Sequence, residues 1–117
     1  MHNFKNIIAW QKSRELVKDI YMLTARFPKE EVYGLTSQIK RASVSVPSNI
    51  AEGTARTDKD FSRFLDIAIG SSFELETQLI LSNDLGFISD DLLNSTSLKV
   101  LEVQKVIYGF QKNLKTN

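Results

Sequence analysis

An all-α fold, arranged as an antiparallel up-down-up-down four-helix bundle with a Pro-kinked second helix, is the architecture predicted for this chain of 117 residues. Three observations predict it. Apolar residues recur at steps of three and four through four long segments, the spacing that places them along one face of a helix. Two prolines and five glycines leave little punctuation between those segments. The connections are short, which favours antiparallel neighbours.

The first helix is predicted to begin between Asn6 and Trp10 and to end at Phe27, because Pro28 follows and cannot continue it. Trp10, Leu16, Val17, Ile20, Tyr21, Leu23 and Phe27 supply its apolar face. After the connection PKEEVYG, a second helix is expected from Leu35 to Ala55, with Leu35, Ile39, Ala42, Val46, Ile50 and Gly53 as its core stripe. Pro47 lies inside it. An interior proline lacks the N–H and presses on the carbonyl four residues earlier, at a cost of roughly 3 kcal/mol, so a kink is expected there. Packing on both sides must hold the helix, with Ser43, Ala51 and Gly53 small enough to let neighbouring backbones approach closely and hydroxyls of Ser43, Ser45 or Ser48 available to freed backbone groups.

Thr57 reads as the N-cap of a third helix, with Asp58 and Asp60 in its first turn where negative charge suits the dipole. Its stripe is Phe61, Phe64, Leu65, Ala68, Ser72, Leu75 and Leu79, and Gly86 terminates it after Leu85. A glycine inside a helix costs about 1 kcal/mol relative to alanine, so Gly70 is read as a point of close helix contact. Ser89 caps the fourth helix, whose Leu93, Thr96, Val100, Val103, Ile107, Phe110 and Leu114 form a coiled-coil-like seam. Apolar residues are left over. Ile67, Ile69, Phe73, Ile80 and Leu81 on the third helix and Leu98, Leu101, Val106 and Tyr108 on the fourth fall off the main stripes. A small bundle apolar on more than one face buries the second face against another subunit, so a homo-oligomer is expected.

The length corresponds to one domain, residues 1–117, able to bury a core without much surplus. No segment reaches the roughly 18 continuous apolar residues of a membrane span, and the start MHNFKN lacks a signal peptide's apolar core. A cytoplasmic protein without a membrane partner is the expectation. The absence of cysteine excludes disulfides, thiol catalysis and thiolate metal sites together.

Net charge is only +1, yet its distribution is uneven. Residues 1–29 carry six Lys and Arg against two acids, residues 57–91 two against eight, and residues 92–117 four against one. In the predicted topology Lys5, Lys12, Arg56, Lys59, Arg63, Lys112 and Lys115 gather at one end of the bundle and are the candidate nucleic-acid-binding residues. Repeated by oligomer symmetry, that end forms a positive ring attractive to phosphate. Dipole matching at helix termini explains much of the same pattern. On the second helix a polar ridge, Gln38, Arg41, Ser45, Asn49 and Glu52, continues to Arg56 beside the apolar stripe. It reads either as a solvated or intersubunit face with ordinary ion pairs, or as a track lining a groove where an anionic partner binds.

Catalytic chemistry has no foothold. His2 is the only histidine and stands in the N-terminal segment, and a di-iron bundle needs two Glu-x-x-His elements. Glu74 and Glu76, two residues apart on a helix, point away from each other, with Gln78 expected one turn from Glu74. No phosphate-binding loop, dinucleotide turn or Ser/His arrangement is present. No enzyme activity, metal, cofactor or small-molecule substrate is expected.

The segments IIAWQKSRELV, FPKEEVYGLTSQIKRASVSVPSNIAEG and FLDIAIGSSFELETQL resemble a four-helix-bundle family that includes proteins encoded in intervening sequences of bacterial large-subunit ribosomal RNA genes. Gln38, Arg41, Ala42, Ser45, Pro47, Asn49, Ile50, Ala51, Glu52 and Gly53 fit its Q-x-x-R-A-x-x-S-x-P-x-N-I-A-E-G pattern. The similarity spans Trp10 to Phe87. Lys40 departs from the second arginine of many relatives, which weakens bidentate phosphate contact there. The resemblance implies a bundle, fivefold ring assembly and no established enzymatic activity. A more distant likeness is to accessory proteins of diversity-generating retroelements, which partner a reverse transcriptase and nucleic acid. The resulting expectation is a non-enzymatic pentameric module that associates with RNA or a ribonucleoprotein through a basic face. A protein-interaction scaffold without nucleic-acid contact is the alternative.

Overall fold

The computed structural model describes residues 2–116, with side chains described for 2–114. Four helices make up the fold, α1 (Ile8–Thr24), α2 (Leu35–Gly53), α3 (Asp58–Asp84) and α4 (Asp90–Thr116), and no strand occurs among the described residues. Short 3-10 turns at Phe4–Asn6 and Lys29–Glu31 precede α1 and α2. The particle measures 46 × 24 × 19 Å.

The helices end where local chemistry stops them. Helix α1 closes three residues before the predicted Phe27, because the amides of Arg26 and Phe27 turn to the carbonyls of Leu23 and Thr24 (3.2 and 3.0 Å). Phe27 nevertheless stays buried and meets Phe87 at 5.5 Å between ring centroids. Gly34, at the N-cap of α2, has no side chain to offer, and the Glu31 carboxylate accepts from the Leu35 amide instead (3.1 Å). Thr57 and Ser89 cap α3 and α4 through hydroxyls that accept from the amides of Asp60 and Leu92. Gly86 has φ +79°, and paired bonds run from its amide to Asn83 O and from Phe87 N to Ser82 O. That is a Schellman closure. The Asn83 amide then donates to Ile88 O and the Asp90 carboxylate, tying the loop to α4.

Buried residues from all four helices form one contiguous core, in which Ile20, Ile39, Ile50, Phe61, Leu75 and Ile107 are fully enclosed. Contacts between neighbouring helices advance in opposite chain directions. Lys12 meets Glu102 while Asp19 meets Lys99, and Gln104 meets Glu76 while Gln111 meets Ser62.

Helix α2 runs through Pro47 without interruption. The Ser43 hydroxyl donates to Lys40 O, and Asn49 Nδ2 donates to Ser45 O (both 2.8 Å). Of the close approaches expected at Gly53 and Gly70, the structure has the first and not the second. A Cβ on Gly70 would meet nothing within 4 Å, whereas one on Gly53 would stand 2.5 Å from Phe61 Cδ1 and 3.0 Å from Phe64 Cβ. The end of α2 therefore sits against the start of α3 with no room for a methyl group.

Candidate interaction surfaces

The start of the chain, the end of α2, the start of α3 and the end of α4 meet at one end of the bundle. Phe61 ties them together, because it contacts Phe110 at 5.4 Å and His2 at 5.3 Å and packs beneath Gly53. His2 is docked there, with Nε2 3.3 Å from Asp58 Oδ1. Gln111 completes the junction by donating to Ser62 O (3.0 Å) and Asp66 Oδ1 (2.6 Å).

Of the predicted basic residues, Lys12, Arg56, Lys59 and Arg63 have acids beside them. Lys12 Nζ lies 2.6 Å from Glu102 Oε1, and this hydrogen bond and positive charge hold the Glu102 carboxyl below its ordinary value of 4.5. Arg56 pairs with Glu52 at 3.5 Å and Arg63 with Asp60 at 3.8 Å, and both guanidinium groups lie over the Phe64 ring (5.1 and 4.9 Å). Lys59 and Arg63 line a groove that also holds Asp58 and Asp66. Lys112 is exposed on α4, and the side chain of Lys115 lies outside the described residues. Among the described residues Lys5, Lys59 and Lys112 form no ion pair.

The polar ridge of α2 divides in two. Ser45 shares a 2.8 Å hydrogen bond with Ser71 on α3, and Asn49 Nδ2 also donates to Ser45 Oγ (2.9 Å), so the ridge's middle joins two helices of one chain. Gln38, Arg41 and Glu52 remain exposed. Glu74 does not bond Gln78, whose buried Oε1 has no partner. It is Glu76 that reaches across, accepting from Gln104 Nε2 at 3.3 Å.

That polar contact sits amid exposed apolar side chains. Phe73 and Ile80 stand three residues before and four after Glu76, and Leu101 and Tyr108 occupy the same offsets from Gln104, so all four border one crossing of α3 and α4. Each is between 44% and 48% exposed. Of the other off-stripe residues, Ile67, Leu81 and Leu98 are also exposed, while Ile69 is buried and Val106 half-buried within the chain.

A second pattern, outside the predicted sites, runs along α1 and the elements beside it. Arg14 lies over the Trp10 ring (5.5 Å), Lys5 over Phe4 (6.0 Å) and Lys40 of α2 over Tyr21 (4.8 Å). Trp10 and Arg14 are four residues apart, a helix neighbour spacing that signals such a stack. Among the described residues no cluster of His, Cys, Asp and Glu could hold a metal ion, and no helix is long and apolar enough to cross a membrane.

Comparison with known proteins agrees with this architecture. A crystal structure of a protein of unknown function from the S23 ribosomal protein family of Bacteroides thetaiotaomicron superposes with a TM-score of 0.83 and 25% sequence identity, over 90% of this chain and 96% of that one. No protein of curated function matches. The sequence profile of the 23S rRNA-intervening sequence proteins matches residues 5–109, nearly the whole chain. This bundle, with its Gln38-to-Gly53 pattern on α2, belongs to the 23S rRNA-intervening sequence protein family.

Proposed function

We propose that the chain is a non-enzymatic homo-oligomeric module, a ring of five copies by its family resemblance, that associates with RNA or an RNA-containing complex through its basic end. The observation that carries this reading is the apolar surface around the Glu76–Gln104 contact. Phe73, Ile80, Leu101 and Tyr108 border that contact and each leaves nearly half of its surface exposed, and apolar patches on small bundles mark protein contacts. The family's ribosomal RNA setting and the unpaired Lys5, Lys59 and Lys112 support the RNA half.

Light scattering tests the assembly. The expected mass is about five times 13.3 kDa at micromolar concentration, reduced by Phe73→Glu combined with Leu101→Glu. A wild-type mass of 13.3 kDa overturns it. For RNA, binding should weaken steeply as salt rises, and Lys59→Glu with Lys112→Glu should weaken it further. A second reading, a protein scaffold without nucleic-acid contact, draws support from the acids Glu52, Asp60 and Glu102 that already occupy three of the cations. Salt-insensitive capture of a protein, with no RNA binding, would establish that reading instead.

A further inference from the structure

We propose that the outer seam between α1 and α2 is a stacking site for single-stranded RNA, with bases against Phe4, Trp10 and Tyr21 and phosphates on Lys5, Arg14 and Lys40. This inference rests on the RNA reading above and carries it from the predicted basic end, which the seam meets at Lys5, along the α1–α2 side of the bundle.

Two grooves meet at Trp10 and Arg14. The first is lined by the start of the chain and α1 alone, with Phe4, Lys5, Trp10, Lys12, Arg14 and Glu15. Trp10 and Arg14 also border the next groove, which they share with Val17, Val44, Pro47 and Ala51. Beyond Val17 and Val44, one helical turn further along each helix, come Tyr21 and Lys40, themselves in contact. From Ile8 to Tyr21 the seam follows α1 for about 20 Å at the helical rise per residue.

Its chemistry repeats. Each of three aromatic rings carries a cation, and Phe4 and Trp10 meet edge to face at 5.1 Å, which fixes both rings against α1. Among the described residues Lys5, Arg14 and Lys40 have no carboxylate partner. An arginine stacked on a ring keeps its in-plane N–H donors directed outward, where a phosphate can take them, and offers its free face to a base. Flat bases joined by phosphates satisfy both halves of this pattern. An RNA duplex hides its base faces, and an acidic peptide leaves the rings unused, so the single strand fits best. Glu15 and the Lys12–Glu102 pair mark the edge of the positive strip.

Trp10 is the only tryptophan, so its emission reports on this seam alone. The full chain is titrated with a short oligouridylate, unlabelled for tryptophan emission and end-labelled for anisotropy. The expected result is quenching that saturates together with anisotropy, and binding about tenfold weaker in Arg14→Ala with circular dichroism unchanged. Arg14→Lys should recover only part of the loss, and a duplex of equal length should bind more weakly. Anisotropy that rises without quenching, and with Arg14→Ala at wild-type affinity, overturns the seam while leaving RNA association intact. Polyglutamate that quenches as strongly as oligouridylate overturns the choice of RNA as occupant. No binding by either readout overturns the seam together with any direct association with single-stranded RNA.

Discussion

Gly53→Ala and Gly70→Ala are the same change in two helices, yet the structure assigns them opposite signs. At Gly53 a methyl group would stand 2.5 Å from Phe61 Cδ1 and 3.0 Å from Phe64 Cβ. Carbon atoms prefer separations of about 3.5–4.0 Å, so an overlap of about 1 Å must be relieved. Phe61 cannot swing away, because it is fully buried and held against Phe110 and His2. Overpacking of this kind costs about 1–3 kcal/mol, and alanine's helical advantage of up to about 1 kcal/mol offsets only part of it at the last residue of α2. A net loss of about 1–2 kcal/mol follows. Gly70 is exposed with nothing near its absent Cβ, so alanine there should stabilise by about 0.5–1 kcal/mol. Thermal unfolding by circular dichroism at one protein concentration reads both, with about 4 °C per kcal/mol for a chain of this size. Gly53→Ala should melt below wild type and Gly70→Ala above it. A Gly53→Ala variant at least as stable as wild type would refute the packing at the α2–α3 junction.

Gly86 holds a left-handed φ of +79° in open space, so Gly86→Ala should lose about 1 kcal/mol from backbone strain alone, measurable by the same melts. Glu102, depressed below 4.5 by Lys12, adds stability above the ordinary glutamate range that disappears as pH falls through its lowered pKa. An NMR titration should place its midpoint below the ordinary glutamate value, and Lys12→Ala should return it there. Ser89→Ala removes the hydroxyl that accepts from Leu92 N and should cost about 1 kcal/mol in chemical denaturation.

Much of this architecture was legible because it depends on local spacing. The three-and-four steps from Leu35 to Gly53, the capping hydroxyls of Thr57 and Ser89 and the glycine after Leu85 each act through residues within a turn or two. What was hidden depends on partners far along the chain. Lys12 reads as a free cation until Glu102, 90 residues later, is found beside it. Gly53 and Gly70 both read as points of close contact, and only the neighbouring helix shows that the first is crowded and the second open. Ile69 and Phe73 both fall off the main stripe, yet the first is buried and the second exposed, because the flanks of α3 differ in how much the adjacent helices cover them. The cation–aromatic pattern of α1 was half visible. Trp10 and Arg14 are one turn apart, but Lys40 meets Tyr21 only when α2 folds back.

Native mass spectrometry of the chain mixed with a short single-stranded RNA addresses assembly and RNA association in one measurement. The expected species has a mass that is a multiple of 13.3 kDa and carries bound RNA, and it loses that RNA as ionic strength rises. A 13.3 kDa chain without RNA under the same conditions would contradict both halves of the proposed function.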